Sequence, residues 1–353
     1  MFGGAAVAAL GLGFGLRGVA GGVVPEWAWL AFVLGLDVAH VWSTLFRTYL
    51  DQEELRQRRL VYGGVPLACY ALGCVAYHVS ARFFWGALAY VAVFHFVRQQ
   101  AGWLAIARAR AKLHAPIDRR LDDAVIFCAT GVPLVHWHAH LPRSFHWFVE
   151  GDFVAASSVT ECAKKLFLPA SVVYGLLAVA YVVRSLQHAR SGRSLWTKHL
   201  VVVSTAAVWW GGIVLVDDDF TFTVTNVTLH AVPYLALLWG YAQARSEERP
   251  GRLVARFLGA GFCGFFTLLL GLAFVEEFVW DRLVWHERTW LFGAGNAFDG
   301  GTLAWLVPLL ALPQATHYVL DGLLWRQKDG GRAQARALGF AVDGARTERD
   351  PEA

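Results

Sequence analysis

Long apolar segments separated by short polar loops constrain this chain more than any other feature. Ten such segments can be read in its 353 residues, and a helix needs about 20 apolar residues to cross a bilayer. Only 16% of the residues are charged, whereas soluble proteins carry about 25%. Because backbone groups inside a bilayer must find their hydrogen bonds within the protein, we predict an all-α fold, a polytopic bundle of transmembrane helices.

The predicted bundle forms one transmembrane domain over residues 1–325. Its ten segments are expected at about 3–22, 26–50, 60–80, 82–104, 123–141, 166–186, 199–216, 220–243, 253–275 and 302–325. The tail at 326–353 is rich in Gly, Arg and Asp and shows no helical periodicity. We therefore predict that this tail is disordered and cytoplasmic.

The distribution of basic residues predicts the orientation of the segments. With both termini in the cytoplasm, the cytoplasmic loops and the tail carry about three times as many Lys and Arg residues as the opposite connections, in agreement with the positive-inside rule. The sequence thus predicts a multi-pass protein of a bacterial-type inner membrane or plasma membrane. It contains no phosphate-binding loop and no basic nucleic-acid-binding patch, so we expect no nucleic-acid partner.

Four of the predicted spans carry a histidine at a similar depth. Counted from the cytoplasmic ends of their spans, His40, His95, His230 and His317 lie within about 9 Å of one another in depth. Counted in the same way along the fifth segment, His136 reaches the same layer. Ionisable side chains in a bilayer are costly and most often functional, so we predict that up to five imidazoles share one metal site.

Two aspartates lie at helical spacing from these histidines. Asp37 precedes His40 by three residues, and Asp321 follows His317 by four. Carboxylates commonly hold the second ring nitrogen of a metal-binding histidine. We therefore expect Asp37 and Asp321 to orient the imidazoles or to bind the metal directly.

Arg98 follows His95 by three residues and is itself followed by Gln99 and Gln100. A guanidinium binds a carboxylate through two parallel hydrogen bonds, which makes Arg98 a candidate for holding the polar head of a substrate. The alternative interpretation is that its side chain extends to the lipid head groups.

The donor set favours iron as the metal. Imidazoles with some carboxylate and no thiolate suit a non-haem iron that oxygen and a lipid can reach, and the same donors also suit zinc, manganese and copper. The five cysteines contain no Cys-x-x-Cys pair, so the sequence predicts neither a thiolate metal site nor a disulfide framework.

The stretches Asp37–His40, His95–Gln99 and His317–Arg326, the last with its His-Tyr-Val-Leu-Asp motif, resemble the bacterial membrane β-carotene-cleaving oxygenases of the Brp/Blh type. The chain lacks the Pro-His-Gly-containing start of that family. The resemblance implies one non-haem iron, held by the four intramembrane histidines, and an apolar polyene or a similar lipid as the substrate.

The leading functional prediction is an integral membrane metalloenzyme, a non-haem iron oxygenase that acts on an apolar, lipid-like molecule. Intramembrane His, Asp and Arg residues also serve transporters and channels, although the internal repeat common in transporters is not detectable here. A membrane acyl- or glycosyltransferase with one histidine as general base and a protein with a bis-histidine haem are further alternatives.

Overall fold

Helices account for nearly all the regular structure of the computed structural model, which describes residues 1–248, 257–325 and 331–340. No strand occurs in these ranges. The helices, in chain order, are α1 (Phe2–Gly15), α2 (Arg17–Ala20), α3 (Glu26–Arg47), α4 (Gln52–Gln57), α5 (Arg59–Val79), α6 (Ala81–Arg110), α7 (Pro116–Ala139), α8 (Ser157–Arg190), α9 (Trp196–Trp209, extended by a π-helical turn at Trp210–Val214), α10 (Asp219–Glu248), α11 (Gly261–Trp285), α12 (Thr289–Phe292), α13 (Gly300–Leu310), α14 (Leu312–Leu324) and α15 (Arg332–Ala337).

Six helical segments are long and apolar enough to cross a membrane: α3, α5, α8, α10, α11, and α13 with α14 taken together. The all-α prediction is confirmed for the described residues. The other predicted segments are also helical but lie outside this set of six, and they correspond to α1 with α2, to α6, to α7 and to α9. The predicted segment 253–275 begins among residues 249–256, which lie outside the described residues, and its part from Gly261 onward belongs to α11.

The six segments differ in how much of their surface the protein covers. Most of α10 and α3 is buried, whereas α8 and α5 bury very little. On α8, large apolar side chains such as Leu168 and Leu176 are more than two-thirds exposed, at 69% and 67%. A continuous apolar face of this kind is rare on a soluble protein and is expected where a helix contacts lipid. The centre of the bundle is thus built on α3 and α10.

Irregular turns shape the helices at the centre. Residues Trp29–Val38 of α3 are π-helical, and such wide turns often occur at functional sites. Pro233 lies inside α10, and Pro313 lies in the first turn of α14, directly after the break that separates α14 from α13. Since proline removes a backbone donor, these positions bend or restart helices near the middle of the bundle.

A close approach between α9 and α10 depends on Gly212. A Cβ atom at this position would collide with Thr225 and would come within 3.0 Å of the Asn226 amide, both on α10. The absence of a side chain therefore lets the π-helical turn of α9 lie directly against the half of α10 that precedes His230.

The bundle end near Asp51 is held together by charged side chains. Arg245 donates to Asp51 through two nitrogens, at 2.7 and 3.1 Å, and Tyr241 donates at 2.8 Å. Arg47, which is 1% exposed, forms an ion pair with Glu54 at 2.8 Å. These contacts fasten the loop after α3 and the short helix α4 to the end of α10.

Part of the tail that the sequence predicts to be disordered forms a helix. Residues 331–340 contain α15, whose Ala333 is buried against α10. Gln334 accepts a hydrogen bond from Arg47 at 3.0 Å, and the Leu338 carbonyl accepts one from Arg110 at 2.6 Å. The small apolar side chains of this stretch bury enough surface for docking, which its composition alone did not indicate. Residues 326–330 and 341–353 lie outside the described residues.

Candidate metal centre

Four imidazoles from four different helices meet at the centre of the bundle. His40 lies on α3, His95 on α6, His230 on α10 and His317 on α14, and their exposures are only 0–3%. The predicted meeting of these four residues is confirmed.

The four rings form a closed square. The centroid distances are 4.6 Å for His40–His230, 5.0 Å for His230–His95, 4.8 Å for His95–His317 and 5.0 Å for His317–His40. Neighbouring rings are steeply inclined, with interplanar angles of 66–87°. Each imidazole thus contacts two others edge-on, as rings around a common centre do.

The inward nitrogens have the spacing of a metal-binding set. One nitrogen from each ring can be chosen so that all four lie within 4.8 Å of one another. Nε2 of His40 lies 3.0 Å from Nε2 of His230, while Nε2 of His95 and of His317 are buried with no hydrogen-bond partner among the described residues. A metal with bonds of about 2.1 Å in tetrahedral geometry holds its ligand nitrogens about 3.4 Å apart, so small ring movements would complete a shell.

Outer hydrogen bonds fix two of the rings. Nδ1 of His317 lies 2.7 Å from the Thr44 hydroxyl. Nδ1 of His40 donates to the Leu36 carbonyl at 3.2 Å and has the Asp37 carboxylate at 3.7 Å. Such partners set the tautomer and leave Nε2 free to bind a metal. Thr44 was not identified from the sequence, although its position four residues after His40 is a signal that could have found it.

Asp321 lies beside His95, whereas the sequence suggests that it orients His317. It follows His317 by one turn, yet its Oδ2 lies 3.7 Å from Nδ1 of His95 on α6, and its Oδ1 accepts a hydrogen bond from Trp325 at 2.8 Å. Asp37 and Asp321 therefore lie beside outer ring nitrogens, where carboxylates orient imidazoles.

The ring of His230 is held by stacking. Phe96 lies parallel to it, with 3.6 Å between centroids and a 9° angle between planes. Nδ1 of His230 and Oδ1 of Asn226, one helical turn earlier, have no hydrogen-bond partner among the residues that the structure describes. At its outer nitrogen, packing against Phe96 rather than a polar partner thus fixes the plane of this imidazole.

His136 does not join the four, which corrects that part of the prediction. Helix α7 begins at Pro116 and not near residue 123, so His136 lies close to its far end at Ala139. Its ring stacks on His140 with 4.0 Å between centroids, and its Nδ1 lies 3.3 Å from Arg143. The early start of the helix moves this histidine out of the shared layer.

Two cavities reach histidines of the cluster, and a third reaches the neighbouring Asp37. The first, of about 400 Å³, is lined by His95, Arg98 and Asp321 among others. The second, of about 260 Å³, is almost wholly apolar and reaches His317. The third, of about 580 Å³, is polar and reaches Asp37. Small-molecule sites in proteins occupy about 300–1,000 Å³. The cavity at His95 falls within this range, and the cavity at His317 is slightly smaller.

The residues present fit a transition metal. Four neutral imidazoles supply a nitrogen shell of the kind that iron, zinc, copper and nickel accept, and no other described residue is needed to bring four ligands together. Comparisons of the chain with models of known protein families, with curated proteins and with solved structures found no match.

Proposed function

We propose that this protein is an integral membrane metalloenzyme, a His-ligated non-haem iron oxygenase that acts on an apolar, lipid-like substrate. The proposal rests on one observation above all. Four buried imidazoles from four helices turn nitrogens toward a common point, and two of these nitrogens have no partner among the described residues. Buried polar atoms without hydrogen bonds are costly, and a metal ion would satisfy all of them together.

The contacts of each residue suggest its role in the proposed enzyme. His40, His95, His230 and His317 would hold the ion, and a bound iron would supply the binding and activation of O₂. Thr44 holds the ring of His317. The cavity at His317 is almost wholly apolar and would disfavour water beside the ion, which protects oxidative chemistry from side reactions.

Metal analysis of the purified protein tests the proposal. We expect about one iron per chain in the wild type, and a large loss of metal when any one of the four histidines is replaced by alanine, because each supplies one of the four nitrogen ligands. The matched control is His114→Ala, since this exposed histidine lies outside the cluster. A wild-type protein that holds no transition metal and cannot be reconstituted with one would overturn the proposal.

The same variants separate the enzyme from a transferase. A transferase with one general base requires a single histidine and tolerates replacement of the other three, whereas a metal site requires all four. The absorption spectrum of the purified protein distinguishes a bis-histidine haem from a non-haem ion.

We also propose that all ten apolar segments cross a bacterial-type inner membrane or plasma membrane, with both termini in the cytoplasm. The basic loops all fall on one side in that arrangement. At 24 residues, α7 spans about 36 Å, which exceeds the roughly 30 Å hydrocarbon core. A C-terminal green fluorescent protein fusion tests the orientation, since this reporter becomes fluorescent when it folds in the cytoplasm and stays dark when it is exported unfolded. A dark fusion would contradict a cytoplasmic C-terminus.

A second candidate function, cation or proton transport, is favoured by the polar cavity. Its lining includes Asp37, Glu277, Arg288 and Gln314, and intramembrane ionisable groups of this kind mark ion paths. Flux assays in proteoliposomes test it. Proton or metal-ion flux that depends on Asp37 would support transport. Proteoliposomes that remain impermeable to both ions would contradict it.

A further inference from the structure

The cavity of about 400 Å³ at His95 has a composition that the metal centre alone does not explain. It lies between α6 and α14, with Tyr234 and Leu237 of α10 at its base. One end touches His95 and Asp321 at the edge of the four-histidine cluster, and the lining continues along α6 to Ile106. A ligand in this cavity would therefore lie directly beside the candidate metal centre.

Hydrogen-bond donors without partners line this cavity. Arg98 forms no ion pair or hydrogen bond with any residue that the structure describes. The amide oxygen and nitrogen of Gln99, which is 8% exposed, have no partner among the described residues, and neither does the buried Nε1 of Trp103. Buried polar groups are normally satisfied, so the buried amide of Gln99 and the indole N–H of Trp103 point to a polar ligand. The guanidinium of Arg98, which is exposed, lines the same cavity and is available to that ligand.

The lining of the cavity carries one cationic side chain, Arg98, and one carboxylate, Asp321. The carboxylate of Asp321 already accepts a hydrogen bond from Trp325 and faces His95, which leaves the Arg98 guanidinium as the charge available to a ligand. A guanidinium pairs best with a planar carboxylate through two parallel hydrogen bonds. Since an unpaired charge in a bilayer is costly, a bound carboxylate would offset the cost of placing Arg98 there.

The cavity opens on the apolar side of the bundle. Phe94 and Val319 flank it and are 65% and 41% exposed. Gly102 of α6 and Gly322 of α14 also line the cavity, and a Cβ atom at either position would meet no described heavy atom within 4 Å. A hydrocarbon chain can thus lie between the helices with its remainder in the surrounding lipid.

We propose that this cavity binds a long-chain carboxylate, with its carboxylate held by Arg98 and Gln99 and its hydrocarbon chain between α6 and α14 beside His95. The inference deepens the proposed function and rests on it, because it names the class of molecule that the metal centre would receive. The snorkelling interpretation of Arg98 is its direct competitor, since a side chain held by lipid head groups would bind no such ligand.

Binding to the metal-loaded protein in a neutral detergent tests the proposal. The probes are radiolabelled palmitate, hexadecanol and hexadecyl phosphate, and the readout is the ligand recovered with the protein after rapid gel filtration. We expect palmitate to bind at least about tenfold more tightly than hexadecanol, as one charge-assisted contact implies. Equal binding of the two overturns the proposal, and tighter binding of hexadecyl phosphate overturns the choice of a carboxylate.

Two variants locate the contact. Arg98→Gln is expected to weaken palmitate binding about tenfold and to leave hexadecanol binding unchanged, while the control Arg120→Gln, at an exposed arginine, changes neither. Gly102→Leu fills the opening and is expected to abolish binding of both probes. Palmitate binding unaffected by Arg98→Gln overturns the proposal, and this result is independent of whether the variant retains enzymatic activity.

Metal content, measured on the same samples, keeps the two proposals apart. Both cavity variants are expected to hold as much metal as the wild type. Metal-loaded protein that does not distinguish palmitate from hexadecanol contradicts the carboxylate site alone. Protein that binds palmitate through Arg98 but holds no metal contradicts the proposed oxygenase alone.

Discussion

At the scale of single residues, the side chains that contact the histidines determine which nitrogen faces the centre. The Thr44 hydroxyl forms a hydrogen bond with the outer nitrogen of His317, and the Leu36 carbonyl accepts one from the outer nitrogen of His40. Once an outer nitrogen is engaged, the ring can present only Nε2 to a metal. The geometry of the candidate centre therefore depends on residues that never touch the ion.

Thr44→Val is expected to lower metal affinity about 10–100-fold, because the substitution keeps the side-chain shape and removes the hydroxyl that orients His317. Competition with a calibrated chelator measures the affinity. Thr130→Val is the matched control, since that buried hydroxyl bonds only to carbonyls of its own helix α7. Equal metal affinity in the two variants would show that the Thr44 contact has no orienting role.

At the scale of helices, close approaches and interruptions determine how the four histidine-bearing helices meet. The π-helical stretch Trp29–Val38 precedes His40, and the break before α14 precedes His317. The contact of α9 with α10 at Gly212 supports the helix that carries His230. The positions of the imidazoles thus depend on helix irregularities that an ideal bundle would lack.

Two glycine substitutions are expected to change stability in opposite directions. Gly212→Ala should lower the free energy of unfolding by about 1–3 kcal/mol, because the new methyl group overlaps Thr225 on α10. Gly131→Ala on α7 meets no described atom within 4 Å and should raise it by about 0.5–1 kcal/mol through better helix propensity. Unfolding by SDS in mixed micelles measures both values. If Gly212→Ala left the free energy of unfolding unchanged, α9 and α10 could readily move apart to accommodate the methyl group.

At the scale of the whole molecule, the charged network around Asp51 closes one end of the bundle. Burial alone would raise the pKa of the Asp51 carboxyl, but hydrogen bonds from Arg245 and Tyr241 outweigh burial and hold that pKa below its ordinary value of 3.8. A carboxyl with a lowered pKa stabilises the folded state above its ordinary pKa, and this contribution disappears as the pH falls through the folded-state pKa.

Asp51→Asn is expected to lower the free energy of unfolding by about 1.5–3 kcal/mol at pH 7, the usual contribution of hydrogen bonds to a charged group. Asp51 also caps α4, since its side chain accepts hydrogen bonds from the backbone N–H groups of Glu53 and Glu54. Asparagine caps helices well too, so this cap is retained. The difference from the wild type should shrink as the pH falls below about 4. SDS unfolding across this pH range measures it, with Asp123→Asn as a control, because that carboxylate is 38% exposed and a surface pair contributes about 1 kcal/mol or less. A pH-independent difference would contradict the linkage to Asp51.

The sequence was sufficient for features that depend on local patterns. Apolar runs predicted the helices, and the depth of His40, His95, His230 and His317 predicted their meeting, because depth follows from counting residues along a straight helix. The count failed for His136, since α7 starts earlier than its apolar run. Contacts between helices, such as Thr44 with His317, depend on the rotation of each helix about its axis, which no local pattern encodes.

The helix α14 has cavities on two of its faces, one reaching His95 and the other His317. A molecule that arrives on one face need not displace an occupant of the other. If the two reactants of an oxygenase used separate faces, neither would have to wait for the other to leave, and their order of binding would be random.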